Sequence, residues 1–81
     1  TEDRLWALVL VANIHQVERR FDRALEAFMR AEAVAAAADG IDPELLASVI
    51  GGVGENLMSL GRLDEAEPRQ LQALAILEEH V

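Results

Sequence analysis

The feature that most constrains this chain is a self-similarity at a spacing of 42 residues. A shift by this distance brings residues 20–22 (Arg-Phe-Asp) onto residues 62–64 (Arg-Leu-Asp). The same shift also places large residues on large ones and small residues on small ones, in the pairs Leu8 and Ile50, Val11 and Val53, Ala12 and Gly54, Ala24 and Ala66, and Ala31 and Ala73. Such a period predicts two structural units built to one plan, which stack because neither can bury its apolar face alone.

Each unit is predicted to be a pair of helices. Alanine, the best helix former, is abundant, and no stretch alternates apolar and polar residues as a half-buried strand does. At the strong break between the two units, Gly40 suits a helix end, Asp42 an N-cap and Pro43 a first helical position. Asp22 and Asp64 are predicted to cap the helices that follow two weaker breaks.

These breaks predict an all-α fold with four helices, at about residues 2–17, 22–38, 43–60 and 64–80. Because the connections are short, neighbouring helices should be antiparallel and form two helical hairpins. The 81 residues suit one small domain with a thin core, with repeat one at about residues 1–40 and repeat two at about residues 43–81.

Charge and composition narrow the classes of partner. The 15 acidic residues outnumber the seven arginines, lysine is absent, and the formal net charge is −8. Nucleic acids and anionic membrane surfaces are therefore disfavoured, and a protein or peptide partner should be basic or neutral rather than acidic. The absence of cysteine excludes disulfides and thiolate metal sites.

The location of the protein is predicted from what the sequence lacks. The longest near-apolar run, residues 5–12, is far short of the ~20 residues that a membrane span needs. No signal peptide is visible, so we expect a cytoplasmic protein. The Ala- and Arg-rich, Lys-free composition suits a GC-rich bacterial genome, and a start at Thr1 rather than at methionine suits an excised fragment.

The two units resemble the tetratricopeptide repeat. In that family the first helix carries a large residue, a large–small pair and another large residue, and the second helix carries a small, a large and a second small residue. The matching residues are Leu8, Val11, Ala12, His15, Ala24, Phe28 and Ala31 in the first unit, and Ile50, Val53, Gly54, Leu57, Ala66, Gln70 and Ala73 in the second. The spacing of 42 and residues 61–68 (GRLDEAEP) look like the longer variety of kinesin light chains. The resemblance implies a fragment of a right-handed α-solenoid.

The resemblance also implies that small and large residues have different roles in the packing. Small residues let the helices of a hairpin approach closely, and large residues fill the space between hairpins. The large residues expected there are Leu8, Val11, Leu25, Phe28, Ile50, Val53, Leu57, Leu71 and Leu74. His15 and Gln70 depart from the pattern, because they stand where large apolar or aromatic residues are expected.

Three glycines lie within four positions of the third predicted helix. A phosphate-binding loop needs its glycines between a strand and a helix, so a nucleotide site is disfavoured. Gly54 is the small residue of the repeat, in register with Ala12. Gly51 and Gly52 have no such role, and each costs roughly 1 kcal/mol relative to alanine inside a helix. Three explanations stay open: tolerated drift, a smooth floor that admits a partner's backbone, or, if the chain self-associates, close packing of a helix from a second copy.

The family resemblance implies a concave groove lined by the first helix of each hairpin. The residues predicted to line it are Trp6, Val9, Leu10, Asn13, Gln16, Val17, Ser48, Gly51, Gly52, Glu55, Met58 and Ser59. Trp6 is suited either to packing in the core or at the end of the stack, or to anchoring a peptide. Asn13 is suited either to contact with solvent or to hydrogen-bonding a peptide backbone. The carboxylate clamp of chaperone-binding repeats needs cations that this groove lacks, so a C-terminal acidic peptide is not the expected ligand.

The histidines do not form a metal or catalytic site in the sequence. His15 and Glu18 stand three residues apart, but two ligands do not make a site. A di-iron bundle needs a Glu-x-x-His on each of two helices, and Ala12 and Leu77 stand three residues before the two histidines instead. His15 is expected to pack or to hydrogen-bond, and His80 to be solvated. We expect no catalytic residues, no metal, no cofactor and no enzyme activity.

These observations predict a protein–protein interaction module that binds a peptide or helix in the groove. The alternative is a structural module that self-associates through an apolar end or by exchanging hairpins, because about three repeats are usually needed for stability. A possible homo-oligomer and a fragment of a longer array are both compatible with this alternative.

Overall fold

The protein consists of four α-helices. The computed structural model describes residues 2–80, with only the backbone for Glu2. The helices are α1 (Glu2–Val17), α2 (Phe21–Ala37), α3 (Pro43–Ser59) and α4 (Leu63–Glu79), and residues 2–80 contain no strand. The predicted all-α fold is confirmed, and every helix boundary lies within one residue of its predicted position.

Helix α3 begins as the sequence predicts. The side chain of Asp42 accepts a hydrogen bond of 3.0 Å from the backbone N–H of Glu44, and Pro43 is the first helical residue. The caps predicted at Asp22 and Asp64 are wrong. Helices α2 and α4 begin one residue earlier, so these aspartates lie in the first turn, where a carboxylate complements the positive end of the helix dipole.

The two hairpin turns have the same geometry. Arg19 has a φ of +62° and Gly61, which lies 42 residues later, has a φ of +79°. In each turn a backbone N–H bonds a carbonyl of the preceding helix across 2.8 Å, from Arg20 to His15 and from Arg62 to Leu57. This pattern is a Schellman helix end, which needs a left-handed residue and favours glycine there.

We expect Arg19→Gly to raise the free energy of unfolding by about 0.5–1 kcal/mol. The left-handed conformation costs a residue with a Cβ about 1–2 kcal/mol, and glycine removes this cost. Part of the gain is lost because glycine has more conformational freedom in the unfolded chain. Urea unfolding measures the change. Gly61→Ala is the matched control in the second turn and should lower stability by about 1 kcal/mol. A destabilised Arg19→Gly variant would contradict this account of the turn.

The helices pack in chain order, α1 on α2, α2 on α3 and α3 on α4. The contact between α2 and α3 joins the two hairpins. One core draws on all four helices, through Leu5, Val9 and Ala12, through Leu25, Phe28 and Ala31, through Leu45, Val49, Val53 and Leu57, and through Ala66. A smaller core of Ala47, Ile50 and Ala73 lies between α3 and α4.

Three of the large residues predicted to fill the space between hairpins are not buried. Val11, Leu71 and Leu74 are exposed. Val11 lines a cleft on the outward face of the first hairpin and Leu74 lines a depression on the outward face of the second, where the described chain places no further helix. The prediction is correct for Leu25, Phe28, Val53 and Leu57, which are buried in the core shared by the two hairpins, whereas Leu8 is half-buried. Ile50 is buried too, but within the second hairpin, between α3 and α4.

Candidate functional site

The structure separates the predicted groove residues into three groups. Eight of them are exposed: Trp6, Leu10, Asn13, Val17, Ser48, Glu55, Met58 and Ser59. Gln16 and Gly51 are half-buried. Val9 and Gly52 are buried, so a groove floor at these two positions is wrong.

Gly52 is a core residue that makes room for an aromatic ring. A Cβ at this position would lie 2.5 Å from Cε1 of Phe28, which no real side chain tolerates. The ring of Phe28, only 2% exposed, belongs to α2 of the other hairpin. Glycine at position 52 is therefore neither drift nor a floor for a partner, because it meets a packing requirement between the hairpins.

Gly54 has an equally specific neighbour. A Cβ there would lie 3.0 Å from Cδ of Gln70, whose half-buried side chain lies across α3. Gln70 stands where the family pattern has a large apolar or aromatic residue, and Gly54 of the same hairpin gives its side chain the space it needs.

Gly51 differs from both. The nearest atoms to a Cβ at this position are Cβ of Ala73 at 3.8 Å and Oε1 of Gln70 at 4.0 Å, which are ordinary van der Waals distances. Gly51 lies in a shallow depression between α3 and α4, together with Ala47, Ser48, Leu74 and Leu77. No contact among residues 2–80 requires glycine at position 51.

The first helices of the two hairpins are tied together by Gln16. Its Nε2 donates to Oε2 of Glu55 across 3.1 Å, and its Oε1 accepts a 3.1 Å bond from Nδ2 of Asn56. Nδ2 of Asn56 also donates to the carbonyl of Gly52 at 2.7 Å. Sequence reasoning missed the role of Asn56, although a signal was available: its counterpart 42 residues earlier is Ile14, so a polar residue replaces an apolar one.

We call the exposed and half-buried predicted residues that surround this link the α1–α3 face, which comprises Trp6, Asn13, Gln16, Val17, Ser48, Glu55 and Ser59. Trp6 is 56% exposed and Val17 is 83% exposed, so Trp6 does not lie in the core, whereas packing at the end of the stack and anchoring of a peptide both stay open as predictions. Glu55 carries the single charge within this set. The face therefore combines exposed apolar groups with an acidic centre.

The resolved pKa shifts lie away from this face, in the turn before α4. The hydrogen bonds between Arg62 and Glu65, at 2.7 and 2.8 Å, lower the pKa of the Glu65 carboxyl and raise the pKa of the Arg62 guanidinium. Both side chains are in water, so the pair contributes little to stability.

The histidines lie apart from the α1–α3 face. His15 is half-buried, and its Nδ1 has no hydrogen-bond partner among the described residues. It lines a cleft between α1 and α2, while Glu18 pairs with Arg20 at 3.6 Å. Within residues 2–80, no three histidine or acidic side chains come together as metal ligands would. None of the four helices, over the same residues, combines the length and apolar character needed to cross a bilayer.

Comparison with known proteins identifies the family. No curated protein and no solved structure matches the chain. The sequence model of the family described as Tetratricopeptide repeat matches residues 3–79, and so includes nearly all of the four helices. The chain therefore belongs to the tetratricopeptide repeat family, whose repeats generally mediate protein–protein interaction.

Proposed function

We propose that this chain binds an extended or helical segment of a partner protein on its α1–α3 face. The observation that carries the proposal is the exposure of Trp6 and Val17 on the surface of one helix. Tryptophan is enriched among the residues that dominate binding energy at interfaces, because its large ring buries much area with little loss of freedom. Asn13 and Ser48 add hydrogen-bonding groups to the same face.

The rigidity of the face supports this proposal. The bonds of Gln16 to Glu55 and Asn56 join α1 to α3, and Asn56 is fully buried. A face held in this way loses little freedom on binding, which leaves more of the contact energy for affinity.

The charge of the face favours a basic or neutral segment. Glu55 is exposed, it has no cationic side chain beside it in the α1–α3 face, and the whole chain carries −8. An arginine or lysine of a partner would meet this carboxylate, whereas an acidic segment would be repelled. For the same reason we propose that nucleic acid is not a partner.

Trp6 is the only tryptophan of the chain and so reports binding directly. We expect synthetic peptides of basic or neutral net charge with an apolar residue to shift its fluorescence to shorter wavelength, and acidic peptides to leave it unchanged. Added salt should weaken the binding of basic peptides, because it screens Glu55. The measurement is a fluorescence titration with peptides of equal length and different charge.

Variants separate this face from the rest of the surface. Using peptides labelled with a fluorophore, we expect Trp6→Ala to weaken binding about tenfold or more, because a central aromatic anchor is lost. Met29→Ala, an equally exposed apolar change on α2, is the control and should not affect binding. Equal affinity of Trp6→Ala and the unmodified chain would refute the α1–α3 face as the binding surface.

We further propose that the repeats are of the 42-residue variety that resembles kinesin light chains, and that the role is non-catalytic. The variety is supported by the starts of α2 and α4, at Phe21 and Leu63, and by the two matching turns. The non-catalytic role is in keeping with the family, whose repeats are scaffolds.

Self-association is a second candidate function, favoured by a separate observation. Large apolar side chains are exposed on the outward faces of both hairpins, including Leu10 and Ile14 on α1 and Leu74 and Leu77 on α4. Contiguous apolar surface of this kind marks interaction sites.

A further inference from the structure

We infer that the two outward faces bind each other, so that a second copy of this chain continues the stack head to tail. The N-terminal end face comprises Leu10, Val11, Ile14 and Ala27, and the C-terminal end face comprises Gly51, Met58, Gln70, Ala73, Leu74 and Leu77. The inference rests on the self-association proposal and deepens it. Ser48 and Glu55 of the α1–α3 face line the same depression as Gly51, so the α1–α3 face adjoins the C-terminal end face. The proposed stack continues the established interface between the hairpins, in which the second hairpin packs on the first.

Side-chain contacts between the hairpins have counterparts in a further repetition. Adding 42 to a residue of the first hairpin gives its counterpart on the C-terminal end face. Subtracting 42 from a residue of the second hairpin gives its counterpart on the N-terminal end face. If the same packing is repeated between copies, the two counterparts must meet and fill the space between the helices.

The first contact is the ring of Phe28 against Gly52. Its counterparts are Gln70 on the C-terminal end face and Leu10 of the second copy. A large residue against glycine is thus replaced by a smaller, flexible residue against leucine. Both partners change together, so the space between the helices stays filled.

The second contact is the ion pair of Glu32 with Arg69, which joins α2 to α4. Its counterparts are Leu74, which is exposed, and Ala27 of the second copy. Ala27 lines the cleft between α1 and α2 together with the apolar Leu8 and Val11, and His15, Arg23, Glu26 and Arg30 form the rest of its lining. A charged pair is therefore replaced by an apolar pair, in which a leucine can enter a cleft.

The third contact is the hydrogen bond from Asn56 to Gln16. Its counterparts are Met58 and Ile14 of the second copy, both about half exposed in the isolated chain. A polar pair is again replaced by an apolar pair. The bond from Gln16 to Glu55 has Met58 and Asn13 of the second copy as its counterparts, which form a mixed pair of one polar and one apolar residue, like Gln70 and Leu10.

This arrangement also accounts for Gly51. Its counterpart in the first hairpin is Val9, which is buried where the second hairpin packs. On the C-terminal end face, Gly51 and Ala47 replace Val9 and Leu5, so this face is shallower. The N-terminal end face is correspondingly bulkier, because Leu10 and Ile14 replace Gly52 and Asn56. A face of small side chains and a face of large side chains are complementary in shape.

The expected interface is heterologous, because it joins two different faces of the chain. Repetition therefore generates open chains of copies rather than closed dimers. Each copy carries a net charge of −8, which opposes association. Salt screens this repulsion, so assembly should strengthen with ionic strength, opposite to the binding of a basic peptide on the α1–α3 face.

The test is analytical ultracentrifugation of the chain and of two end-face variants. Ile14→Glu places a charge on the N-terminal end face, and Leu74→Glu places one on the C-terminal end face. We expect the unmodified chain to form larger species as concentration and salt rise, and each variant to stay monomeric. An equimolar mixture of the two variants should form a dimer and nothing larger, because each variant keeps one intact face.

Matched controls and outcomes decide the proposal. Met29→Glu, on an exposed position of α2 outside both end faces, should assemble like the unmodified chain, and circular dichroism should show that all variants keep their helices. If the unmodified chain is monomeric at every concentration, the inference is wrong. A monomer is the result expected if hairpins of a longer polypeptide cover these faces. A mixture that stays monomeric, or single variants that still pair with themselves, would also overturn the inference. Assembly should strengthen with salt whereas binding of a basic peptide should weaken, so failure of this inference and failure of peptide binding are distinguishable.

Discussion

Gly52→Ala should lower the free energy of unfolding by about 1–3 kcal/mol, although alanine is the better helix former. The added methyl would lie 2.5 Å from Cε1 of Phe28, and the ring is buried. Either the ring or the backbone of α3 must move, which separates the two hairpins. The neighbouring change Gly51→Ala should instead raise stability by about 0.5–1 kcal/mol, because its methyl meets Ala73 at 3.8 Å and the helix gains propensity.

Urea unfolding followed by circular dichroism measures both changes, at a protein concentration where the chain is monomeric. Gly51→Ala is the internal control, since the same methyl is added one residue away in the same helix. Phe28→Leu reduces the ring, so it should destabilise the unmodified chain more than it destabilises the Gly52→Ala variant. If Gly52→Ala is as stable as Gly51→Ala, the close contact with Phe28 does not hold the hairpins together.

Asn56→Asp should lower the free energy of unfolding at neutral pH by about 3 kcal/mol or more, because it places a carboxylate in the core without a cationic partner. Asn56 is fully buried, and its Nδ2 donates to the carbonyl of Gly52 and to Oε1 of Gln16. An ionised aspartate of the same shape has no hydrogen-bond donor. Its carboxylate oxygen would therefore face two other oxygens, the carbonyl of Gly52 and Oε1 of Gln16. The loss should exceed that of any surface substitution.

The pH dependence of this variant identifies the cause. Burial among acceptors raises the pKa of a carboxyl in the folded state above its unfolded value. The folded variant then binds more protons than the unfolded chain between these two pKa values, so its stability falls as pH rises through that window. We expect the deficit relative to the unmodified chain to shrink as the pH is lowered toward the ordinary carboxyl range.

The control for this prediction is Asn13→Asp, the same chemical change at an exposed position of α1. It should alter stability by no more than about 0.5 kcal/mol. A pH-independent loss at position 56 would indicate altered packing rather than a buried charge.

Much of the fold follows from local features of the sequence. The 42-residue period predicts two equivalent hairpins, and the pair Asp42 and Pro43 defines the start of α3. Asp42 and Pro43 act within one turn of α3, and the period is found by comparing the sequence with itself. Both can therefore be recognised without knowing what packs nearby. The caps predicted at Asp22 and Asp64 are wrong by two residues, because a backbone Schellman bond ends the preceding helix and leaves Arg20 and Arg62 at the N-caps.

The candidate site is less completely predictable from the sequence, because helical periodicity assigns a face but not its neighbour. Ser48, Glu55 and Ser59 are exposed as expected, whereas Gly52 on the same stripe lies beneath Phe28 of α2. In the same way, periodicity predicts one groove for Val9 and Leu10, although Val9 is buried and Leu10 is on an outward face.

The three glycines separate what the sequence determined from what the tertiary structure decided. Register with Ala12 is enough to identify Gly54 as the small residue of the repeat. Only the packing of α2 on α3 explains Gly52, because its partner Phe28 is 24 residues away in the chain and its ring position depends on the whole core. Gly51 has ordinary van der Waals space around it, so neither its register nor its contacts among residues 2–80 require glycine. Local sequence specifies helices and their ends, but close contacts between helices depend on atoms that only the folded chain brings together.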